Sequence, residues 1–189
     1  MKSKLVKIIV PLCVVLVIGG IWVFKNAEDK ADDPAATLPP VISEDRVQPL
    51  NDTDFLLKSD VIDLDALTAY GLPLIIDFGS DSCIPCKEMA PVLETMNAEM
   101  QGLAIIKFVD VWVNTSAAND FPVQVIPTQV IINADGTPYV PSESMEESGI
   151  KFSMYTYKDT GEHAFTTHQG GMTEEQMRAI LTDMGVASE

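Results

Sequence analysis

The chain reads as a mixed α/β domain behind one apolar N-terminal helix, and three observations predict that class. Residues 8–24 carry no charge. The run Leu74-Ile75-Ile76-Asp77-Phe78 is nearly all apolar, as a strand covered on both faces must be, and a helical pattern opens a few residues later. Near the C-terminus, 151–157 and 163–168 flank a glycine-containing loop and precede a last amphipathic helix. Residues 51–189 suffice for one ordinary domain and leave no room for a second core.

Ile8 to Phe24 spans 17 positions, or roughly 25 Å of helix against a hydrocarbon core of about 30 Å. Lys7 and Lys25 can close that gap by snorkelling. Lys2, Lys4 and Lys7 make residues 1–7 a basic flank, whereas Glu28, Asp29, Asp32 and Asp33 follow the apolar stretch. The basic flank is expected to stay in the cytoplasm, with the rest of the chain outside. A cleaved signal peptide would need small residues after a shorter apolar centre, and Phe24-Lys25-Asn26-Ala27-Glu28 offers none, so 8–24 is read as an uncleaved anchor. A lipid-modified Cys13 lacks the small residue expected at Pro11-Leu12, which leaves Cys13 inert. Residues 25–50, rich in proline, alanine and acids, are too polar to build a core and read as a linker. The chain beyond Lys25 has eight basic against 28 acidic residues, a net charge of −20. Such a domain repels nucleic acid and anionic lipid, and the charge itself reads as a solvated surface.

Asp63 to Tyr70 fits a short helix stopped by Gly71, and Leu74 to Phe78 the first strand. Cys83 to Met100 follows as a helix, with Met89, Val92, Leu93 and Met96 on one face, a kinking Pro91 inside and Gly102 beyond its end. Leu103 to Trp112 reads as a strand, Thr115 to Phe121 as a short helix, Gln129 to Asn133 as another strand, and Asn133-Ala134-Asp135-Gly136 as a turn. Lys151 to Tyr157 and His163 to His168 form a hairpin around 158–162. Thr173-Glu174-Glu175-Gln176 has capping-box spacing and opens the last helix, with Gly185 as its stop.

Chemistry concentrates in Cys83-Ile84-Pro85-Cys86. Two thiols at this spacing can close into a disulfide within one helical turn. At a helix start, unpaired N–H groups and the helix dipole favour the thiolate, so Cys83 is the expected attacking thiol and Cys86, one turn deeper, the resolving one. Pro85 is tolerated in the first turn, whose N–H groups have no helical partner. The competing readings are a purely structural disulfide and half of a zinc site. Zinc would have to draw further ligands from His163 and His168, since no second Cys-x-x-Cys exists.

Asp77 before Cys83-Ile84-Pro85-Cys86-Lys87, Pro91 five residues past the second cysteine, and Ile126-Pro127-Thr128 together resemble the thioredoxin superfamily, over about Asp54 to Met184. The resemblance implies a thioredoxin fold, a mixed central sheet flanked by helices, here with an added hairpin. It makes Asp77 the buried carboxylate that manages the Cys86 proton; its place in an apolar strand independently implies a desolvated acid. The alternative is a carboxylate that merely bonds nearby backbone. The resemblance also implies a cis Pro127, which keeps metal off the dithiol and lets the Ile126 backbone pair with an extended substrate; an ordinary trans proline is the other reading. Lys107 matches a family lysine near the buried aspartate, against a strand-edge lysine in solvent.

Two features depart from the family. Ser82, preceded by Asp81, stands where an aromatic residue usually precedes the first cysteine, and the acid disfavours the Cys83 thiolate. The stretch from Tyr139 to His163 is longer than the usual strand-turn-strand, and is either a partner surface or a hairpin covering a sheet edge. A copper relay through His163 and His168 conflicts with the close cysteine spacing.

The expected activity is reduction of protein disulfides by a membrane-tethered extracytoplasmic enzyme without cofactor. No soluble reductase pool is at hand outside the cytoplasm, so the oxidised pair needs electrons carried through the membrane by another protein, and the resemblance implies a multi-spanning membrane thiol carrier as that donor. A disulfide oxidase or isomerase and a non-catalytic binding module are the alternatives.

Overall fold

Apolar on every residue but Asp77 and Gly79, β1 (Leu74–Gly79) has nowhere to go but the middle of a sheet, and all six of its residues are buried. In the computed structural model, which describes residues 46–187, β2 (Ile105–Asp110) pairs with it in parallel and β3 (Thr128–Ile132) antiparallel on its other side. β4 (Phe152–Thr156) and β5 (His163–Gln169) complete five strands in the order β2-β1-β3-β5-β4. This is a thioredoxin-like α/β arrangement. The segment 1–7, the apolar stretch 8–24 and linker residues 25–45 lie outside the described residues. Among the described residues no helix is long and apolar enough to cross a membrane.

Strand alternation divides the core into two layers. On one face Ile75, Ile106, Phe108 and Ile131 pack with Met89, Leu93 and Met96 of α2 (Ile84–Glu99) and with Met177, Ile180 and Leu181 of α4 (Glu174–Asp183). On the other, Leu74, Ile76, Phe78, Ile105, Val109, Val130 and Ile132 meet Leu67 of α1 (Leu64–Thr68) and Phe121.

Local signals placed most of these elements. The Asp63 carboxylate accepts from Ala66 N at 3.0 Å to start α1. Thr173 and Gln176 form the reciprocal capping box that their spacing predicts at α4. Gly102, at φ 76°, follows α2, and a Cβ there would lie 2.6 Å from Val47 O, so the close approach of residue 47 admits glycine alone. That approach is sealed by Val47 N donating to Gly102 O at 3.0 Å, and Leu50 N donates to Tyr70 Oη at 2.8 Å. Residues 46–50, at the end of the expected linker, therefore lie against the domain.

The structure departs from the sequence expectation in three places. The strand expected over 103–112 closes at Asp110, and Trp112 is 60% exposed, because Asp110 turns the chain by accepting from the N–H groups of Trp112 and Val113. The helix expected over 115–121 is a single 3-10 turn, Thr115–Ala118. An unforeseen α3 (Glu143–Glu147), capped by Ser142, lies inside the long stretch from Tyr139 to His163.

That stretch also supplies β4, which pairs with β5 through the expected hairpin and becomes the sheet edge. Tyr139 Oη and Ser142 Oγ both donate to Asp183 at 2.5 Å, fastening it to the end of α4. At the opposite edge, residues 57–59 run beside β2, with Phe108 N donating to Leu57 O at 2.7 Å and Ser59 N to Phe108 O at 3.0 Å.

Because Ile75 is fully buried, Ile75→Ala is expected to lower unfolding free energy by about 2–5 kcal/mol in urea denaturation. Val113→Ala, on a residue 74% exposed, is expected to change it by no more than about 0.5 kcal/mol.

Candidate active site

β1 ends at Gly79, and the chain crosses four residues, the last of them Cys83, before α2 begins, which brings the dithiol to the C-terminal end of the central strand. Cys83 is the residue that caps α2, in extended conformation (φ −84°, ψ 131°), and Pro85 stands in the first turn. Cys83 N donates to Ser80 O at 3.1 Å and Lys87 N to Cys83 O at 3.0 Å, so the approach loop and the helix both grip the first cysteine. Cys83 and Cys86 are paired as a disulfide with Cα atoms 5.3 Å apart. Both are buried, and Ile84 between them is 72% exposed. No side chain caps this helix start, and a thiol at the N-cap of a helix is favoured as thiolate once the pair is reduced.

The Ile126-Pro127 peptide bond is cis. It sets the Ile126 carbonyl oxygen 4.0 Å from Cys83 Sγ. The structure thus brings the Cys83–Cys86 pair beside the Ile126-Pro127 loop.

Asp77 lies beneath them, fully buried. Its Oδ1 accepts from Gln129 Nε2 at 2.6 Å, and its Oδ2 has no hydrogen-bond partner among the described residues. Burial pushes the carboxyl up to about 7, against the opposing pull of the Gln129 hydrogen bond. A Cβ built on Gly79 would lie 2.9 Å from Phe108 Cε2, 3.1 Å from Asp77 Oδ2 and 3.4 Å from Cys86 Cβ. The free carboxyl oxygen and Cys86 therefore approach each other across a glycine that has no side chain to separate them.

Lys107 is not Asp77's neighbour, nor is it a solvent lysine. It pairs with Ile76 rather than Asp77 in the β1–β2 register, so its side chain leaves the opposite face. There it is 2% exposed, and Nζ donates to Thr53 O at 2.8 Å and Leu56 O at 2.9 Å. Burial holds its pKa below the usual lysine range, partly offset by the Asp54 charge. The residue that Asp77 meets on β2 is Phe108.

Asp81, expected to oppose the Cys83 thiolate, has its carboxylate bound by Lys58 Nζ at 2.9 Å. Both side chains are about two-thirds exposed, so this pair contributes at most about 1 kcal/mol but moderates the local charge. The approach loop itself is pinned by Asp110, whose Oδ2 accepts from Asp81 N at 2.9 Å and Ser80 Oγ at 3.2 Å. Burial raises the Asp110 carboxyl, but these bonds and those from Trp112 and Val113 outweigh it and leave the pKa low.

Gln129, Gly79 and Asp110 did not stand out in the sequence, where glutamine in a strand, glycine in a loop and aspartate at a strand end are all commonplace. His163 and His168 are engaged elsewhere, His163 Nε2 with Thr166 Oγ1 at 2.9 Å and His168 Nδ1 with Lys151 O at 2.9 Å. Among the described residues no cluster of three or more His, Cys, Asp or Glu could hold a metal ion.

The thioredoxin family model matches residues 65–154. Thioredoxins of Staphylococcus aureus strains Mu50 / ATCC 700699 and MW2 are each 36% identical over 98 residues, which cover 49% of this chain and 92% of theirs. Among solved structures, chloroplastic thioredoxin z aligns over 70% of this chain and 96% of its own at 22% identity, with a TM-score of 0.48. Fasciola hepatica thioredoxin aligns over 67% and 97% at 23% identity, with a TM-score of 0.46.

An unfolded aspartate titrates near 3.9, whereas Asp77 in the fold keeps its proton up to about 7. Below about pH 4 both states are protonated and Asp77 is neutral to stability; from there to about pH 7 the unfolded state ionises first, and the fold loses roughly 4 kcal/mol in total. Asp77→Asn, always neutral, is expected to match the parent protein near pH 4 and to exceed it by up to that amount at pH 8, in urea unfolding of the oxidised form.

Proposed function

The chain belongs to the thioredoxin family, and we propose that it is a membrane-tethered thiol-disulfide oxidoreductase that reduces protein disulfides outside the cytoplasm. The observation that carries the chemistry is the Cys83–Cys86 disulfide at a helix start, over a buried Asp77 and beside a cis Pro127.

In the reduced enzyme the Cys83 thiolate attacks one sulfur of a substrate disulfide. A Cys83–substrate mixed disulfide forms, and the other substrate sulfur leaves as a thiolate that takes a proton from solvent. Cys86 then gives its proton to the Asp77 carboxylate and attacks the Cys83 sulfur, which expels the second substrate thiolate and closes the Cys83–Cys86 disulfide. Two electrons have passed to the substrate, and an external dithiol must return them. The Ile126 backbone beside Cys83 holds an extended substrate segment during the attack.

The tether reading is supported by the uncharged stretch 8–24 and its lysine flanks. With the domain beyond the membrane, the dithiol donor is a multi-spanning membrane thiol carrier. The reducing direction is supported by Pro85 before the second cysteine, the arrangement of reducing family members, and by the absence of a histidine between the cysteines to stabilise the Cys83 thiolate. A midpoint potential near about −120 mV, the oxidising end of the range for this fold, would instead make the protein an oxidase.

Cys83→Ser is expected to abolish reduction of a disulfide-bonded test protein while leaving the fold intact by circular dichroism; a parent protein that reduces no disulfide, with partner binding unchanged in Cys83→Ser, would point to a binding module. Cys86→Ser, expressed in the native membrane, is expected to accumulate mixed disulfides at Cys83 that mass spectrometry identifies as substrate and donor. A membrane-impermeant maleimide should label Cys83 in intact cells, and the protein should stay with membranes through carbonate extraction. Labelling only after lysis would place the domain on the other side.

A further inference from the structure

Asp77 has two oxygens in different situations, and that asymmetry assigns a role to a residue outside the motif. Gln129 stands directly opposite Asp77 in the β1–β3 register, so both side chains leave the same face of the sheet. It is fully buried. Its Nε2 donates to Asp77 Oδ1 at 2.6 Å and to Gly170 O at 3.2 Å, which uses both amide hydrogens, with Met89 Sδ at 3.5 Å beside them. Gly170 N in turn donates to Pro127 O at 2.9 Å. The amide that holds Asp77 is thus itself held by the turn that fastens the cis-proline loop. The free oxygen, Oδ2, lies on the Gly79 side, where Cys86 approaches.

We propose that Gln129 is a positioning residue: it clamps Asp77 Oδ1 and leaves Oδ2, turned toward Cys86, as the one oxygen that exchanges a proton with the resolving thiol. This rests on the thiol-disulfide reading above and adds to it how the proton acceptor is oriented. In the resolution step the Cys86 S–H bond breaks, an Oδ2–H bond forms, and the sulfur's electron pair makes the new bond to Cys83 as the substrate thiolate leaves. The Gln129 amide keeps its bond to Oδ1 throughout, because neither of its hydrogens takes part. It also favours the ionised carboxyl, which a glutamine donor stabilises and an apolar side chain does not. Gln129 Oε1, in the same buried site, has no hydrogen-bond partner among the described residues, so the side chain is engaged through its amide hydrogens alone.

The titratable and charged groups on this face of the sheet are Cys86 from α2, Asp110 from β2, which stands opposite Gly79, Tyr139 and, two strands away, His168 from β5; Lys58, Asp81, Lys87 and Glu94 line the pocket that Cys86 and Phe108 share, α4 presents Met177, Ile180 and Leu181, and Lys107 lies on the opposite face.

The test compares the protein with Gln129→Leu and with Gln129→Met, which keeps the side-chain length should leucine impair folding. Carbon-13 NMR of the Asp77 side-chain carboxyl in the oxidised protein, where neither cysteine titrates, is expected to show its midpoint about one pH unit or more higher in both variants. In single-turnover release of a thiol from a Cys83 mixed disulfide, the acid limb of the pH–rate profile should move up by the same amount. The rate on the alkaline plateau should stay within about twofold. In an Asp77→Asn background the Gln129 substitutions should add no further loss. An unmoved carboxyl midpoint, or a rate lowered equally at every pH, would overturn the proposal. A parent protein that exchanges no thiols at all would sink the functional reading, whereas the NMR titration would still decide whether Gln129 holds Asp77.

Discussion

Everything about the site follows from β1 being covered on both faces. A strand with a helix layer above it and a second layer below has no route to water along its length, so an acid placed on it loses solvation whatever its role. Asp77 is that acid, and among the described residues the partner of its Oδ1 comes from a neighbouring strand. The antiparallel neighbour β3 supplies Gln129, and the parallel neighbour β2 supplies only the ring of Phe108.

Cross-strand registry extends this pairing across the whole sheet. Phe108, Asp77, Gln129, His168 and Phe152 stand opposite one another in sequence from β2 to β4. The row is polar at its centre and aromatic at both ends, so the carboxyl is buffered from water by rings rather than by distance. Above the row, the start of α2 supplies the sulfurs; beside it, the cis-proline loop supplies the Ile126 carbonyl. Three elements distant in sequence converge because β1 and β3 are adjacent and the chain crosses from β1 directly into α2.

The added stretch between β3 and β5 solves a different problem. β5 would otherwise present an unpaired edge, and the hairpin shifts that edge outward to β4. Phe152 turns back to meet Tyr139 and His168, while Met154 faces solvent. Asp183 at the end of α4 collects Tyr139 and Ser142, which fixes where the stretch leaves the core. Burial lifts the Asp183 carboxyl, but these hydrogen bonds more than compensate and hold it low, so the fastening stays ionised. The hairpin is thus part of the sheet and at the same time its exposed border.

The sequence by itself determined the elements and the dithiol. Periodicity placed the strands, caps and glycines placed the helix ends, and Cys83-Ile84-Pro85-Cys86 with Asp77 and Ile126-Pro127 located the site, because each of these signals is local. Lys107 shows where local reading ends. Its motif neighbourhood suggested a partner for Asp77, but a shift of one residue in register sends a strand side chain to the opposite face, and register is set by pairing rather than by composition. The same holds for Gln129 opposite Asp77, for Gly79 letting Cys86 approach a free carboxyl oxygen, and for α3, too short for periodicity to reveal. Only the tertiary structure decided which side chains share a face, and which of the two oxygens of one buried acid is left without a partner, because both depend on contacts between residues tens of positions apart.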